Sequence, residues 1–327
     1  MPRLSTRLTE RLGLLHPIVS APMAFAAGGA LAAAVTEAGG LGLIGGGYGD
    51  AAWLEREFRA AGNGRVGCGF ITWSLARSPA LLDAALAHRP AAVMLSFGDP
   101  SPFAPSIGEA GALLVCQVQT VAGARAALDA GADVLVAQGT EAGGHGGTRA
   151  TLTLVPEVAD LLARERPDAL LLAAGGIADG RGLAASLMLG ADGVLMGSRF
   201  WATREALVHP RHHGAALSAD GDGTVRQRAT DIARGYDWPA EFTGRVLRNA
   251  FVREWEGRGE EHRAVAAERR PAYLAAVAAG DPEAAGVWVG EAVGLIRDLP
   301  GAAEVVERTV AEAVGCLRTG ASAIVDC

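Results

Sequence analysis

The sequence contains no lysine, so all 29 basic residues are arginine. Schiff-base catalysis and the anchoring of pyridoxal phosphate both need a lysine amine. Both are therefore excluded. The 36 acidic residues outnumber the basic ones and give a formal net charge of -7. Since binding to a phosphodiester backbone needs a clustered positive surface, we expect no nucleic-acid partner.

Cysteine is also scarce, with Cys68, Cys116, Cys316 and Cys327 widely spaced and no CxxC pair. This pattern offers neither a disulfide framework nor a thiolate metal site, and it suits a reducing compartment. We therefore predict a cytoplasmic protein with no bound metal.

Charge is absent from Pro17 to Thr36, a stretch long enough to suggest a membrane span. Pro17, Pro22 and the Gly28-Gly29 pair argue instead for a buried strand, a turn and a small-residue helix. Glu10, which precedes this stretch, argues against a secretory signal. We expect no membrane partner.

Short apolar runs alternate with alanine-rich helical stretches, the pattern of a parallel sheet that is buried on both faces. Helices fit between most of the runs, such as Val121 to Ala130 and Arg181 to Leu189, each followed by a glycine. Eight runs predict an α/β protein of the (β/α)₈ TIM-barrel class. The runs are Pro17 to Ala21, Leu41 to Gly45, Val66 to Phe70, Ala92 to Ser96, Leu113 to Val118, Val134 to Gln138, Leu170 to Ala173 and Gly193 to Met196.

After the eighth run the pattern changes to charged, arginine-rich segments, interrupted at residues 221–223 and 237–239. We interpret residues 204–285 as a helical cap inserted after strand 8. Residues 1–203 and 286–327 would then form the barrel, with its last helices at 288–298 and 302–317. A cap over the barrel mouth would exclude water and shape a substrate pocket.

Glycines follow the seventh and eighth runs, as Gly175-Gly176-Ile177 and Gly197-Ser198. TIM barrels often hold phosphate groups in these two loops, where backbone N–H groups can approach an anion closely. A helix that begins after Ile177 would add its dipole. The alternative is that these are ordinary turn glycines.

A single histidine, His145, lies among five glycines in the segment 138–147 after the sixth run. A flexible loop of this kind could place the imidazole against a flat ring and a small substrate, where it could exchange protons near neutral pH. The alternative is a structural histidine. Nearby, Gln117, Gln119 and Gln138 would need polar partners, which a flavin ring or mutual hydrogen bonds could supply.

Two weaker motifs are discounted. Residues 40–45 fit GxGxxG, but they overlap a predicted strand, whereas a dinucleotide fingerprint follows its strand. The cluster His209-Pro210-Arg211-His212-His213 lacks neighbouring carboxylates or thiols, and we interpret it as a solvated face of the cap.

These motifs resemble the nitronate monooxygenase family, formerly called 2-nitropropane dioxygenases. The resemblance covers most of the chain, and EAGGH at 141–145 is its most specific element. The other matching segments are 17–23 (PIVSAPM), 134–147 (VLVAQGTEAGGHGG), 173–177 (AAGGI), 194–199 (VLMGSR), 237–239 (DWP), 244–249 (GRVLRN) and 290–296 (GEAVGLI).

The resemblance implies an FMN-dependent oxidation of alkyl nitronates, and of nitroalkanes, by O₂ to a carbonyl compound and nitrite. His145 would be the catalytic acid/base, which removes the α-proton of a neutral nitroalkane. The residues implied to contact FMN are Ala21, Pro22, Met23, Gly69, Gln117, Gln138, Gly143, Gly144, Gly175, Gly176, Met196, Gly197 and Ser198.

The chain departs from the family at two of these positions. Many members have asparagine where this chain has Gly69, and some have lysine where it has Gln117. The substrate is therefore open, as is a homodimeric assembly. Two other functions also stay open: an FMN-dependent NAD(P)H reductase of the enoyl-acyl-carrier-protein or quinone reductase type, and a barrel that binds a phosphate ligand without redox chemistry.

Overall fold

The computed structural model describes residues 3–322. Its strands are β1 (Ile18–Ser20), β2 (Leu43–Gly45), β3 (Gly67–Ile71), β4 (Ala92–Ser96), β5 (Leu113–Val118), β6 (Val134–Gln138), β7 (Gly144–Gly146), β8 (Leu170–Ala174), β9 (Gly193–Met196), β10 (Thr224–Gln227) and β11 (Thr243–Leu247). Its helices are α1 (Arg7–Leu12), α2 (Gly29–Glu37), α3 (Ala51–Ala60), α4 (Thr72–Leu75), α5 (Ala80–Leu86), α6 (Ala104–Glu109), α7 (Val121–Asp129), α8 (Thr151–Glu165), α9 (Gly180–Met188), α10 (Ser198–Trp201), α11 (Pro210–Leu217), α12 (Ala229–Arg234), α13 (Ala250–Trp255), α14 (Gly259–Ala278) and α15 (Ala302–Ser322).

Eight parallel strands form one sheet in the order β1-β9-β8-β6-β5-β4-β3-β2. The sheet closes between its two ends, where Ser20 N–H donates to Leu41 O and Leu41 N–H donates to Ile18 O. The predicted TIM barrel is therefore confirmed, and each of the eight predicted runs overlaps one barrel strand, with β3 and β8 each ending one residue beyond its run.

Two apolar layers surround the barrel wall. Side chains such as Val19, Met94 and Leu172 fill its interior, whereas Ile18, Val93 and Leu171 pack outward against the helices. This alternation between neighbouring residues follows from the pleat of a β-strand. Helix α1 closes the amino-terminal end of the barrel, where Leu8 joins the interior layer. The opposite end is therefore the open one.

The uncharged amino-terminal stretch forms β1, a turn and α2, as predicted. Within residues 3–322 no helix is both long enough and apolar enough to cross a membrane. Helices α7 and α9 also lie where the sequence predicts them. Each is followed by a glycine with positive φ, Gly131 at 94° and Gly190 at 93°.

The segment 204–285 contains the predicted helices, here α11 to α14, but also two strands that we did not predict. β10 and β11 form an antiparallel hairpin, and β11 pairs in addition with β7 from the loop after β6. Each of these strands contains an arginine, which interrupts the apolar alternation by which a strand is predicted. The division into barrel and cap at residues 203/204 and 285/286 stays a prediction.

The prediction of a helix over residues 288–298 is wrong. This segment is extended apart from one 3₁₀ turn, Glu291–Leu295. Gly290 N–H donates to Ser198 Oγ and Glu291 N–H donates to Glu141 O, so these groups bond across the barrel mouth and not within a helix. Glycines at 290 and 294 also disfavour helix formation.

Cys68 and Cys116 are buried in the barrel wall, and burial raises the pKa of each thiol to about 12. Neither is therefore a nucleophile at neutral pH. Cys316 is half-buried on α15, and Cys327 lies outside the described residues.

The contact between α9 and α15 depends on the absence of a side chain at Gly180. A Cβ there would lie 2.3 Å from Ala313 N and 2.5 Å from Thr309 O, which are both backbone atoms of α15. We expect Gly180→Ala to lower the free energy of unfolding by about 1–3 kcal/mol because it overpacks this contact.

Gly315, exposed on α15 with open space around its Cα, supplies the control. Gly315→Ala should raise the stability by up to about 1 kcal/mol through helix propensity. Urea unfolding of both variants measures the difference. Equal stability changes would show that the α9–α15 contact does not need glycine.

Candidate active site

A cavity of about 500 Å³ opens at the carboxyl ends of the barrel strands, beneath the cap. This volume lies in the range of about 300–1,000 Å³ that is typical of small-molecule sites. Most of the residues that the sequence singled out line it, namely Ala21, Pro22, Met23, Gly69, Gln117, Gln138, Gly143, Gly144, His145, Gly175, Gly176, Gly197 and Ser198.

Met196 is the exception among the predicted contacts. Its side chain packs in the outer layer between the barrel and the helices, whereas that of Leu195 points inward and lines the cavity. The alternation along β9 places neighbouring side chains on opposite faces, and the Met196 carbonyl accepts a hydrogen bond from Ala21 N–H. The Met196 side chain is therefore not a cavity contact.

His145 is held on β7, opposite Gly244 of β11. Its Nε2 lies 3.0 Å from both Oδ1 and Oδ2 of Asp231, a buried residue of α12. The imidazole stacks on Trp238, with ring centroids 3.4 Å apart and planes 6° apart, and Trp288 lies 5.1 Å away. Sequence analysis missed Asp231 because 86 residues separate it from His145.

The contact with Asp231 selects one form of the imidazole. An ionised carboxylate can only accept hydrogen bonds, so Nε2 carries the ring proton and donates a hydrogen bond to Asp231. Within residues 3–322, Nδ1 makes no hydrogen bond. Burial lowers the pKa of His145, and the Asp231 hydrogen bond opposes that shift only in part. A neutral imidazole with an unprotonated Nδ1 is a competent general base.

The glycine loop around His145 is hydrogen-bonded to two arginines of the cap. Arg226 of β10 donates to the carbonyls of Thr140, Ala142 and Gly146, and so reaches the loop at three points. Arg245 of β11 donates to Thr140 O as well. Burial lowers the pKa of Arg226 to about 10, with repulsion from Arg245 as a second cause, so its guanidinium stays charged at neutral pH.

The three glutamines behave differently from one another. Gln119 Nε2 donates to Gln138 Oε1, and Gln138 Nε2 donates to His145 O. The expected mutual hydrogen bonding therefore occurs for this pair, which also holds the His145 backbone. The half-buried Gln117 lines the cavity and forms no side-chain hydrogen bond with the described residues.

The two glycine loops meet at one side of the cavity. Gly175 and Gly176 have φ of 104° and 74°, a region that favours glycine. The N–H groups of Gly176, Ile177, Gly197 and Ser198 donate to no acceptor within residues 3–322. Ser198 Oγ accepts from Gly290 N–H, which leaves its own hydrogen available. These donors could cradle an anion.

The helix dipole that we expected after Ile177 is not available to such an anion. Helix α9 begins at Gly180, and the Asp179 side chain accepts the N–H groups of Arg181 and Gly182. Glu312 accepts the Gly180 N–H. The first turn of α9 is therefore already capped by two carboxylates.

Gly69 has a steric explanation. A Cβ at this position would lie 2.4 Å from Pro22 Cγ, on the neighbouring cavity wall. No side chain fits there without moving the Pro22 loop, so Pro22 occupies the space that a larger residue would need.

The discounted glycine motif carries no site, whereas His209 and His212 of the discounted histidine cluster line the cavity. Gly45 belongs to β2, so GxGxxG overlaps a barrel strand. In the histidine cluster, His209 caps α11 and His213 is buried with Nε2 2.9 Å from Trp201 O, so the expected solvated face is wrong for His213. Within residues 3–322 no group of three or more metal-ligating side chains converges.

Comparison with known proteins identifies the family. A family model described as nitronate monooxygenase matches residues 5–63 and 78–312. The chain belongs to the nitronate monooxygenase family. The nitronate monooxygenase of Neurospora crassa is 34% identical over 90% of this chain and 88% of its own length.

Two solved structures of similar fold cover nearly the whole chain. FabK from Thermotoga maritima has a TM-score of 0.86 and 32% identity, over 98% of this chain and 100% of its own. The nitroalkane oxidase from Streptomyces ansochromogenes has a TM-score of 0.77 and 31% identity, over 96% of this chain and 99% of its own. The resemblance to nitronate monooxygenases that the sequence motifs indicate is confirmed.

Arg226 offers a test of how this family member holds its glycine loop. We expect Arg226→Gln to increase amide hydrogen exchange of residues 140–146 by about 10-fold or more, because charge-assisted hydrogen bonds to the loop are lost. Hydrogen-exchange mass spectrometry of this peptide measures the change.

Arg248→Gln is the matched control, since Arg248 follows the same hairpin but is exposed and pairs with Glu256. Its exchange at 140–146 should equal that of the unmodified protein. If residues 140–146 exchange at the same rate in both variants, Arg226 does not hold the loop.

Proposed function

We propose that this protein uses FMN to oxidise alkyl nitronates with O₂ to a carbonyl compound and nitrite, and that it also accepts neutral nitroalkanes. The observation that carries the proposal is the position of His145, whose ring meets the same cavity as the unpaired N–H groups of the two glycine loops. Membership of the nitronate monooxygenase family supports it.

The cavity residues fit FMN. Gly176, Gly197 and Ser198 would hold the phosphate, since their N–H groups are unpaired within residues 3–322 and Ser198 adds a hydroxyl. Pro22 and Gly69 offer a flat wall for the ring, and the free amide of Gln117 suits a polar ring edge. When bound, FMN would supply the electron acceptor for the nitronate and the route to O₂.

The residues of this chain handle the proton. His145 Nδ1 would remove the α-proton of a neutral nitroalkane, while Asp231 holds the ring through Nε2–H. Trp238 and Trp288 cover the imidazole and exclude water. A nitronate has already lost this proton, so its oxidation would not need His145 as a base.

Two alternatives stay in view. The likeness to FabK favours an FMN-dependent NAD(P)H reductase as the second candidate. A phosphate-binding barrel without redox chemistry is the third, although a buried histidine–carboxylate pair at the cavity is more typical of proton transfer. We also propose a cytoplasmic location; a homodimer stays open.

Anaerobic mixing separates the three candidates. We expect the purified protein to be yellow with bound FMN, and ethyl nitronate to bleach the flavin while NADH and NADPH do not. Stopped-flow absorbance near 450 nm follows the bleaching. Rapid bleaching by a nicotinamide would favour the reductase, and protein that stays colourless with added FMN would favour the non-redox barrel.

His145→Asn tests the acid/base role. We expect kcat/KM for a neutral nitroalkane to fall by about 10² to 10⁴, the usual contribution of a positioned base. FMN content and nitronate turnover should change far less. Steady-state oxygen consumption with both forms of nitroethane measures this, and unchanged nitroalkane kinetics would refute the assignment.

The pH dependence should follow the protonation of His145. A general base is active when unprotonated, so kcat/KM for the nitroalkane should fall as the pH drops through the His145 pKa, which burial places below 6.5. In Asp231→Asn the opposing effect of the carboxylate is lost, so the inflection should move to lower pH and the plateau should fall. An unmoved inflection would contradict a positioning role for Asp231.

A further inference from the structure

Arg234 is an arginine of the cavity that the proposed reaction does not yet use. It ends α12, the short helix that also carries Asp231, and it lines the cavity. Four aromatic rings surround its guanidinium. The distances from Cζ to the ring centroids are 5.0 Å for Tyr236, 5.8 Å for Tyr48, and 5.9 Å for both Phe25 and Trp288.

No acceptor within residues 3–322 receives a hydrogen bond from the Arg234 guanidinium, and no carboxylate there lies within ion-pair distance of it. The other arginines near the cavity differ: Arg226 donates to loop carbonyls, and Arg245 pairs with Glu291 at 2.9 Å. A guanidinium has five N–H donors. Those of Arg234 are therefore available to a ligand.

The aromatic rings stabilise the charge without using its donors. A cation over an aromatic face is attracted by the ring quadrupole, while the N–H groups at the guanidinium edge stay free. The arrangement keeps a half-buried positive charge in place and open to the cavity.

Arg234 and His145 border the same space. Trp288 is close to both, with its ring centroid 5.9 Å from Arg234 Cζ and 5.1 Å from the His145 ring centroid. Arg234 is also among the charges that lower the pKa of His145. A small substrate that meets the imidazole would therefore share one cavity with the guanidinium.

We infer that Arg234 binds the two oxygens of the negatively charged nitronate group and makes the cavity select the anionic nitronate over the neutral nitroalkane. The inference rests on the proposed function and assigns its specificity. The planar fork of the guanidinium matches two oxygens on one atom, and charge-assisted hydrogen bonds are about twice as strong as neutral ones. A neutral nitro group offers the same two oxygens without the net charge.

The test compares Arg234→Met with Arg269→Met. Arg269 also lies over a tryptophan of the cap, 4.9 Å from the Trp255 ring, but it is exposed and outside the cavity. For ethyl nitronate we expect kcat/KM to fall by about 10- to 100-fold in Arg234→Met, mainly through KM, because hydrogen bonds to a charged group contribute about 1.5–3 kcal/mol. For neutral nitroethane KM should change by less than about 3-fold, whereas kcat should fall because removal of the α-proton builds up the same nitronate charge. Arg269→Met should leave both substrates unchanged.

Nitrate binding gives a second measurement that does not need turnover. Nitrate is planar and negatively charged like a nitronate. Trp288 and Trp238 line the cavity, so a change in tryptophan fluorescence should report nitrate binding. We expect nitrate to bind about 10-fold or more weakly to Arg234→Met than to Arg269→Met. Should Arg234→Met fail to fold, Arg234→Lys keeps the charge without the fork and should show an intermediate nitrate affinity.

The outcomes separate this inference from the proposed function. If the protein oxidises nitronate but Arg234→Met leaves its KM unchanged, or raises the KM of both substrates equally, the inference is overturned and the function stands. If the protein does not oxidise nitronate but nitrate binding depends on Arg234, the proposed function fails and the anion site stands. Equal nitrate affinity in the Met variants overturns the site.

Discussion

The pairing of β7 with β11 joins the loop after the sixth barrel strand to the cap, and the position of His145 depends on it. In this pairing His145 lies opposite Gly244, and a Cβ on Gly244 would come within 2.5 Å of the Trp288 ring. The missing side chain lets Trp288 approach the imidazole. The pairing therefore sets both the backbone of His145 and the aromatic surface against which its ring is held.

Buried charge is the second constraint, and the structure compensates each charge differently. Arg226 is satisfied by backbone carbonyls, since within the described residues no carboxylate pairs with it. Asp231 is satisfied by the imidazole N–H. Because an uncompensated buried charge is costly, removing the partner of either charge would be strongly destabilising. The N–H donors of Arg234 have no partner within the described residues, so Arg234 is the half-buried charge that can bind an anion.

The cavity also has strained aromatic residues in the loops that follow β1 and β4. Phe25 and Phe97 have φ of 62° and 66°, values that a bulky residue rarely adopts. Both line the cavity, where Phe25 faces Arg234 and Phe97 lies edge-on to Trp238. Strain of this kind persists where surrounding contacts hold it, and it is concentrated at ligand-binding sites. Here it turns two aromatic side chains toward the space that a substrate would fill.

The barrel could be predicted because its signals are local. A strand such as Ala92–Ser96 is a short apolar run, and the loop glycines that follow the later strands come directly after them. Parallel strands in a closed barrel have all their carboxyl ends on one side. Counting the strands was therefore enough to predict that His145, Gly176 and Gly197 lie at one cavity. The resemblance to the family indicated the same residues.

What lies around His145 could not be predicted from the sequence, because it depends on contacts between distant segments. Asp231 and Trp238 come from the cap, and nothing within their own charged, irregular stretch indicates that they reach the sixth barrel loop. The strand character of β7 and β11 also exists only in their pairing, since Gly144–Gly146 has no strand propensity of its own. The sequence by itself determined the barrel and the residues at its mouth. Only the tertiary structure decided which nitrogen of His145 is held, because the hydrogen bond to a carboxylate 86 residues away makes that choice.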